Sequence, residues 1–164
     1  MTMKHPTSVM VWGCMSRSAV GRLHVVQGTV NSDKYITEIL DKKVVQSAKD
    51  MFGQDVADRR EFIFQQDGAP CHTSRRSMAW LQDNNIEVLE WPGNSPDLNP
   101  IENLWARLMK LVAMKKASNR RELIQAIIDA WFHVITPEHL EQLVDSMPKR
   151  CEAVVKAKGF PTKY

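Results

Sequence analysis

Three prolines fall within the nine residues "PGNSPDLNP" (92–100). Each one fixes φ and removes a backbone N–H, so the stretch can be neither helix interior nor ladder strand. It must be loop, and it divides the chain into two unlike parts. Ahead of it lie short β-branched runs closed by glycine, serine or asparagine. Behind it the apolar residues recur only at helical spacing.

In the front part, "SVMVWGCMS" (8–16) and "GRLHVVQGTV" (21–30) read as two neighbouring strands in a hairpin. The period then changes. Ile36, Leu40, Val44 and Ala48 share one helical face with Ile39 and Met51 beside it, and Asn31, Ser32 and Asp33 supply a cap and a first-turn acid. "GQDVADRR" (53–60) is polar connection, and "EFIFQQD" (61–67) is the next strand. "TSRRSMAWLQDNN" is a short helix capped by Thr73 or Ser74, and "IEVLEW" (86–91) is another strand.

Behind the loop, Asn99-Pro100 opens a helix with Ile101, Leu104, Trp105, Leu108 and Val112 on one side. Asn119 opens a second helix, and Thr136-Pro137 opens a third with a cap and a proline at the first helical position. Pro148 should break or kink that last segment, and Gly159 should stop it. The order predicts an α/β fold: a mixed sheet flanked by helices, with a helical C-terminal part. Alternation of strand and helix over 21–91 predicts parallel pairing through crossovers. The 164 residues read as one domain: strands and helices to about 91, loop 92–100 and helices over 101–158.

Composition narrows the class without choosing a function. The chain is 43% hydrophobic and 25% charged, as ordinary globular proteins are. A net charge of +3 is too small to demand a nucleic-acid partner, but its distribution is uneven. Residues 31–101 hold 8 basic and 12 acidic side chains, whereas 102–164 hold 11 basic and 7 acidic. Cys14, Cys71 and Cys151 make no metal-type spacing and fit a reducing compartment. No apolar run reaches the roughly 18 residues of a membrane span, and "MTMKHPTS" is no signal peptide, so an intracellular, soluble protein is expected.

The acidic middle has two conspicuous members. Asp67 ends a strand and begins a Gly-Ala-Pro turn, and ligand sites in α/β sheets lie at the carboxyl ends of strands. Glu102 sits in the first turn of the helix opened by Pro100, with 34 residues between the two. Each has a structural alternative. Asp67 can start an Asx-type turn, and Glu102 can reach back to Asn99 in a capping box.

"FQQDGAPCHTS", "VLEWPGNSPDLNPIENLW" and "SVMVWGC" strongly resemble the catalytic domain of mariner/Tc-type transposases, from about Ser8 to the end. The resemblance implies an RNase H-like fold and a catalytic Asp-Asp-Glu triad in which Asp67 falls on the second Asp and Glu102 on the Glu. It further implies metal-dependent DNA cleavage and strand transfer, with Mg²⁺ (or Mn²⁺) held by Asp67 and Glu102. DNA, both transposon ends and target, is then the partner, the nucleus is the location, no membrane is involved, and a homo-oligomer is left open. Carboxylates suit the chemistry, because hard cations take oxygen ligands and two of them can activate the attacking oxygen and stabilise the leaving one.

His72 can touch a phosphate or a metal-bound water, or merely order its turn. Asp97 is read as ordering its loop. Lys110, Lys115, Lys116, Arg120 and Arg121 can follow a DNA backbone or form a solvated helix junction.

The resemblance also sets an expectation of incompleteness. The family's first Asp lies on a strand upstream of "SVMVWGC", and here no Asp precedes Asp33. "KHPTS" carries Pro6-Thr7 where the family usually has glycines, and the family's N-terminal DNA-binding helices have no counterpart. The expected sheet order 3-2-1-4-5 would thus lack its central strand, forfeiting on the order of 10 ladder bonds of ~1 kcal/mol each. Two arrangements are then open: "VMVWGC" pairs directly with "FIFQQD", or the edge borrows a strand from a partner. The reading is a truncated transposase domain without activity as an isolated chain. The alternative is a non-catalytic, transposon-derived remnant that binds DNA or protein.

Overall fold

A computed structural model describes residues 8–93 and 95–164. The approach "KHPTS" as far as Thr7, and Asn94 of the proline-rich loop, lie outside the described residues. The chain opens with strands β1 (Met10–Trp12) and β2 (His24–Val26), antiparallel in the register Met10 to Val26 and Trp12 to His24. Side chains alternate across a strand. Val11 accordingly packs on the C-terminal helices, while its neighbour Trp12 packs on the opposite cluster.

Helix α1 is continuous from Ser32–Lys34 through a π-wound stretch, Tyr35–Val44, to Val45–Phe52. The side chain of Asn31 caps it by accepting the Lys34 N–H at 2.9 Å. Tyr35, Ile39, Leu40 and Val44 form its buried face. Residues 54–59, expected as polar connection, are instead a short helix, α2 (Gln54–Arg59). Ala57 anchors it, fully buried, and Arg60 ends it in the left-handed conformation at φ 57°.

Strands β3 (Ile63–Phe64) and β4 (Glu87–Val88) run parallel, as the strand–helix–strand alternation predicted. Both are far shorter than the apolar runs that contain them. The crossover reading is corrected for β2, which pairs with β1 and not with β3 among the described residues. Nor does β1 pair with β3. The described residues form two separate two-stranded ladders.

Between β3 and β4 lie a one-turn helix, α3 (Pro70–Thr73), and α4 (Arg75–Asp83). Ser74, rather than Thr73, caps α4 through the Ser77 N–H. Pro96–Leu98 forms a single 3-10 turn, and α5 (Pro100–Met114) follows. Helix α6 (Arg120–Asp129) continues into a π-wound end, Ala130–Val134. Its cap is reciprocal, though shifted from the usual capping box: Asn119 accepts the Glu122 N–H, and Glu122 accepts from the Asn119 side chain and from the Ser118 N–H one residue earlier. Helix α7 (Pro137–Asp145) is capped by the Thr136 carbonyl rather than its hydroxyl. The chain breaks at Ser146 before α8 (Met147–Lys156), which carries Pro148 in its first turn.

Two apolar clusters hold these elements. One gathers Leu104, Leu108, Ile127, Trp131 and Leu140 from α5, α6 and α7. The other gathers Tyr35, Ile39, Leu40, Phe64, Leu81 and Ile86 from α1, α4 and the parallel ladder. The hairpin lies between them and is pinned by Trp131. This indole is fully buried, stacks on Trp105 at 4.9 Å between centroids, and donates Nε1–H to the Gly21 carbonyl at 2.9 Å. Gly13 lets the rings approach, since a Cβ there would stand 2.9 Å from Trp131 and 3.0 Å from Trp105.

Candidate active site

Asp67 stands three residues past β3, where the chain leaves the ladder and turns into α3. Its Oδ1 accepts the Ala69 N–H at 2.9 Å, which is the Asx-type turn that the sequence allowed. The same oxygen accepts from His72 Nδ1 at 2.6 Å. An ionised carboxylate only accepts, so Nδ1 carries the proton. His72 is held in turn by its ring contact with Tyr35, 4.2 Å between centroids. The buried Tyr35 hydroxyl donates to Gln66 Oε1 at 2.7 Å. Two groups thus fix Oδ1, while Oδ2 has no hydrogen-bond partner among the described residues and the Asp67 side chain is about half exposed (55%).

Glu102 occupies the first turn of α5, but the capping box that the sequence offered as its structural alternative is not formed. Asn99 offers no side-chain cap, because its Oδ1 is taken by Gln65 Nε2 at 3.2 Å, and the Glu102 N–H is accepted by the Asn99 carbonyl instead. The exchange has a consequence: Asn99 ties the start of α5 to the strand leading into Asp67, and the Glu102 carboxylate is left free. Partial burial, and then the neighbouring charge of Asp67, raise the Glu102 pKa above the ordinary carboxylate value. No lysine or arginine forms an ion pair with either carboxylate among the described residues.

Asp67, His72, Asn99 and Glu102 line one cavity of about 790 Å³. Its walls include β1, β3 and the inner face of α1, so it lies between the two ladders. Among the described residues no group of three His, Cys, Asp or Glu side chains is placed to hold a metal ion. The donor chemistry that is present suits a hard cation: carboxylate oxygens, one with a free lone-pair face and neither neutralised by a basic side chain.

The five basic candidates sit elsewhere. Lys110 is exposed on α5, Lys115 and Lys116 follow its end, and Arg120 and Arg121 open α6. Glu102 and Lys115 are 13 residues apart along a helix rising 1.5 Å per residue, which separates them by roughly 20 Å. Asp97 orders its loop by accepting the Thr162 N–H at 2.5 Å. No helix is long and apolar enough to cross a membrane among the described residues.

The geometry defines a class of protein, α/β folds that present acidic side chains where a strand gives way to a turn. Similarity to known proteins narrows it. The chain belongs to the DDE superfamily endonuclease family, whose profile matches residues 2–124. It is 41% identical over 165 aligned positions to the transposable element Tcb1 transposase of Caenorhabditis briggsae, an alignment covering 99% of this chain and 57% of that protein. It therefore spans little more than half the length of that relative.

Among solved structures it resembles the Mos1 transposase catalytic domain with raltegravir and Mg, at TM-score 0.81 and 24% identity, covering 94% of this chain and 77% of that one. It also resembles the Mos1 mariner paired end complex with Mn, at TM-score 0.77 and 24% identity, covering all of this chain and 47% of the other. The fold is thus that of the Mos1 catalytic domain, the RNase H-like architecture.

Some residues of the site escaped sequence reading. The Asp67–His72 contact had a signal, two complementary side chains five residues apart across a proline turn. Gln65–Asn99 had none, since two amides far apart in sequence carry no mark of pairing.

Proposed function

We propose that this chain forms the larger part of the catalytic domain of a DNA transposase, as one RNase H-like domain. Its chemistry is metal-dependent cleavage of transposon-end DNA followed by joining to a target. Asp67 and Glu102 are two of the metal ligands, and Mg²⁺ or Mn²⁺ would supply Lewis-acid activation and charge neutralisation at the phosphodiester. The protein's share is positional. His72 and the Ala69 N–H hold Asp67 Oδ1 and leave Oδ2 without a hydrogen-bond partner among the described residues, and the Gln65–Asn99 bond ties the two ligand-bearing segments together.

The observation that carries this reading is the pairing itself: two unneutralised carboxylates lining one cavity, with the Glu102 pKa raised by burial and then by the charge of Asp67. Like charges gathered in a partly buried site repel, and a cation held between them relieves that repulsion. The third ligand belongs on a strand seated between β1 and β3, pairing with both edges and filling the cavity with its inward side chains. In that arrangement the two ladders become one sheet. Lys110, Lys115, Lys116, Arg120 and Arg121 follow the DNA backbone beyond the site, with Lys115 roughly six base pairs from Glu102 at ~3.4 Å per base pair. The protein works in the nucleus, on paired ends held by two or more copies.

The test joins this chain to the N-terminal portion of the Tcb1 transposase and offers it a labelled duplex bearing the transposon end. Mg²⁺-dependent cleavage should appear in the joined protein and be negligible in the chain alone. Asp67→Asn and Glu102→Gln should each abolish it. Cleavage that persists in both variants would overturn the assignment.

A further inference from the structure

Arg150, on α8, is a cation with 2% of its surface exposed, and among the described residues no carboxylate forms an ion pair with it. Its partners are neutral. Nε–H donates to Ser146 Oγ at 2.7 Å, Nη1–H to the Asp97 carbonyl at 3.0 Å and Nη2–H to Asn103 Oδ1 at 2.8 Å. The ring of Tyr164 covers the guanidinium at 4.8 Å. Burying an unpaired charge is costly, and a flat apolar side chain of similar size would pack there without that cost. The placement makes sense through what the fork connects. Asp97 lies in the 3-10 turn before α5, Asn103 is the residue after Glu102, and Tyr164 belongs to the chain's last residues.

A second bond closes the same clasp: Asp97 accepts the backbone N–H of Thr162, so one residue receives the tail with its carboxylate and Arg150 with its carbonyl. Only a planar guanidinium presents donors in directions that reach a carbonyl and an amide on different elements at once; an ammonium is a point donor.

We infer that Arg150, covered by the Thr162–Tyr164 tail, is a positioning residue for Glu102, fixing the first turn of α5 against the loop so that the carboxylate keeps its place in the cavity it shares with Asp67. This rests on the reading of Asp67 and Glu102 as cation ligands. Gln65–Asn99 fastens that turn on the strand side, and Arg150 fastens it on the helical side.

The experiment is an Mn²⁺ titration of the joined protein that carries the third ligand, followed by paramagnetic broadening of the backbone amides around Asp67 and Glu102, with the folded fraction checked by circular dichroism. Arg150→Met and Asn103→Ala should each shift the Mn²⁺ midpoint upward by about tenfold or more, the usual effect of losing a ligand's supporting partner. Arg150→Lys should not restore it, because it keeps the charge and loses the fork. A chain ending at Pro161 should show a smaller shift in the same direction, and it carries the test with Asn103→Ala if Arg150→Met does not fold.

Unchanged midpoints in folded variants, with Asp67→Asn still abolishing the broadening, would overturn the positioning role. Broadening that is absent from the joined parent protein, or that survives Asp67→Asn in it, would instead overturn the cation reading beneath it and this inference too.

Discussion

Replacing Trp131 by Phe tests whether one indole joins the two halves of the molecule. The substitution removes the Nε1–H that satisfies the buried Gly21 carbonyl, and an unsatisfied buried acceptor costs about 1–3 kcal/mol. The indole exceeds the phenyl ring by roughly 40 Å³, and at ~24 cal/mol per Å³ the void adds about 1 kcal/mol. The total is about 2–4 kcal/mol of a domain stability of ~5–15 kcal/mol. For a chain of this length each kcal/mol lowers Tm by roughly 2–4 °C, so a drop of about 4–16 °C is expected by far-UV circular dichroism.

Hydrogen exchange adds a spatial signature. Amides of Val11 and Trp12 should lose protection more than those of Leu40 and Leu81, which belong to the cluster on the other side of the hairpin. A loss below about 0.5 kcal/mol, or a uniform loss of protection, would refute the view that Trp131 holds the hairpin to the helices.

Three further outcomes follow from the same structure. Glu102→Gln should raise the Tm of the metal-free chain at neutral pH. A carboxyl whose pKa is raised on folding destabilises the fold once pH climbs above its unfolded value, so the gap between variant and parent should close on acidification, and a Tm difference independent of pH would count against it. His139, whose buried Nε2 has no partner among the described residues and whose pKa is lowered by burial and then by Arg107, contributes in the opposite sense. Its stability is present above the ordinary value of 6.5 and is lost as pH falls toward the lowered one, so His139→Gln should flatten the stability profile below that point in urea titrations at stepped pH. Gly21→Ala should cost about 1–3 kcal/mol in the same titrations, because its Cβ would collide with Cys14 Sγ and stand 2.8 Å from the Ser47 side chain.

The helical part was legible because its signals are local. Asn119 with Glu122 three residues on, Pro100 and Pro137 at first helical positions, and apolar residues at three- and four-residue steps each name a helix without reference to anything distant. The strands were legible as runs but not in extent. "EFIFQQD" and "IEVLEW" look equally extended along their length, yet ladder bonds form over two residues in each, because pairing depends on a neighbour that no single run specifies.

α2 was missed for a related reason. "GQDVADRR" is polar, and only Ala57, buried against the neighbouring helix, makes it worth folding. At the site, the turn at Asp67 was readable, and the capping box offered as an alternative at Glu102 did not form. The sequence pattern was right, but a distant Gln65 outcompeted it for Asn99.

The shortness of the two ladders governs how this molecule behaves in company. β1 is three residues long and β3 two, and their outward N–H and C=O groups meet no neighbouring strand among the described residues. Long flat borders of that kind recruit further copies into stacks. These are too brief to hold a fixed alignment with a stranger, so concentrated solutions should stay clear. An invited segment of the right length could still gain bonds on both sides at once.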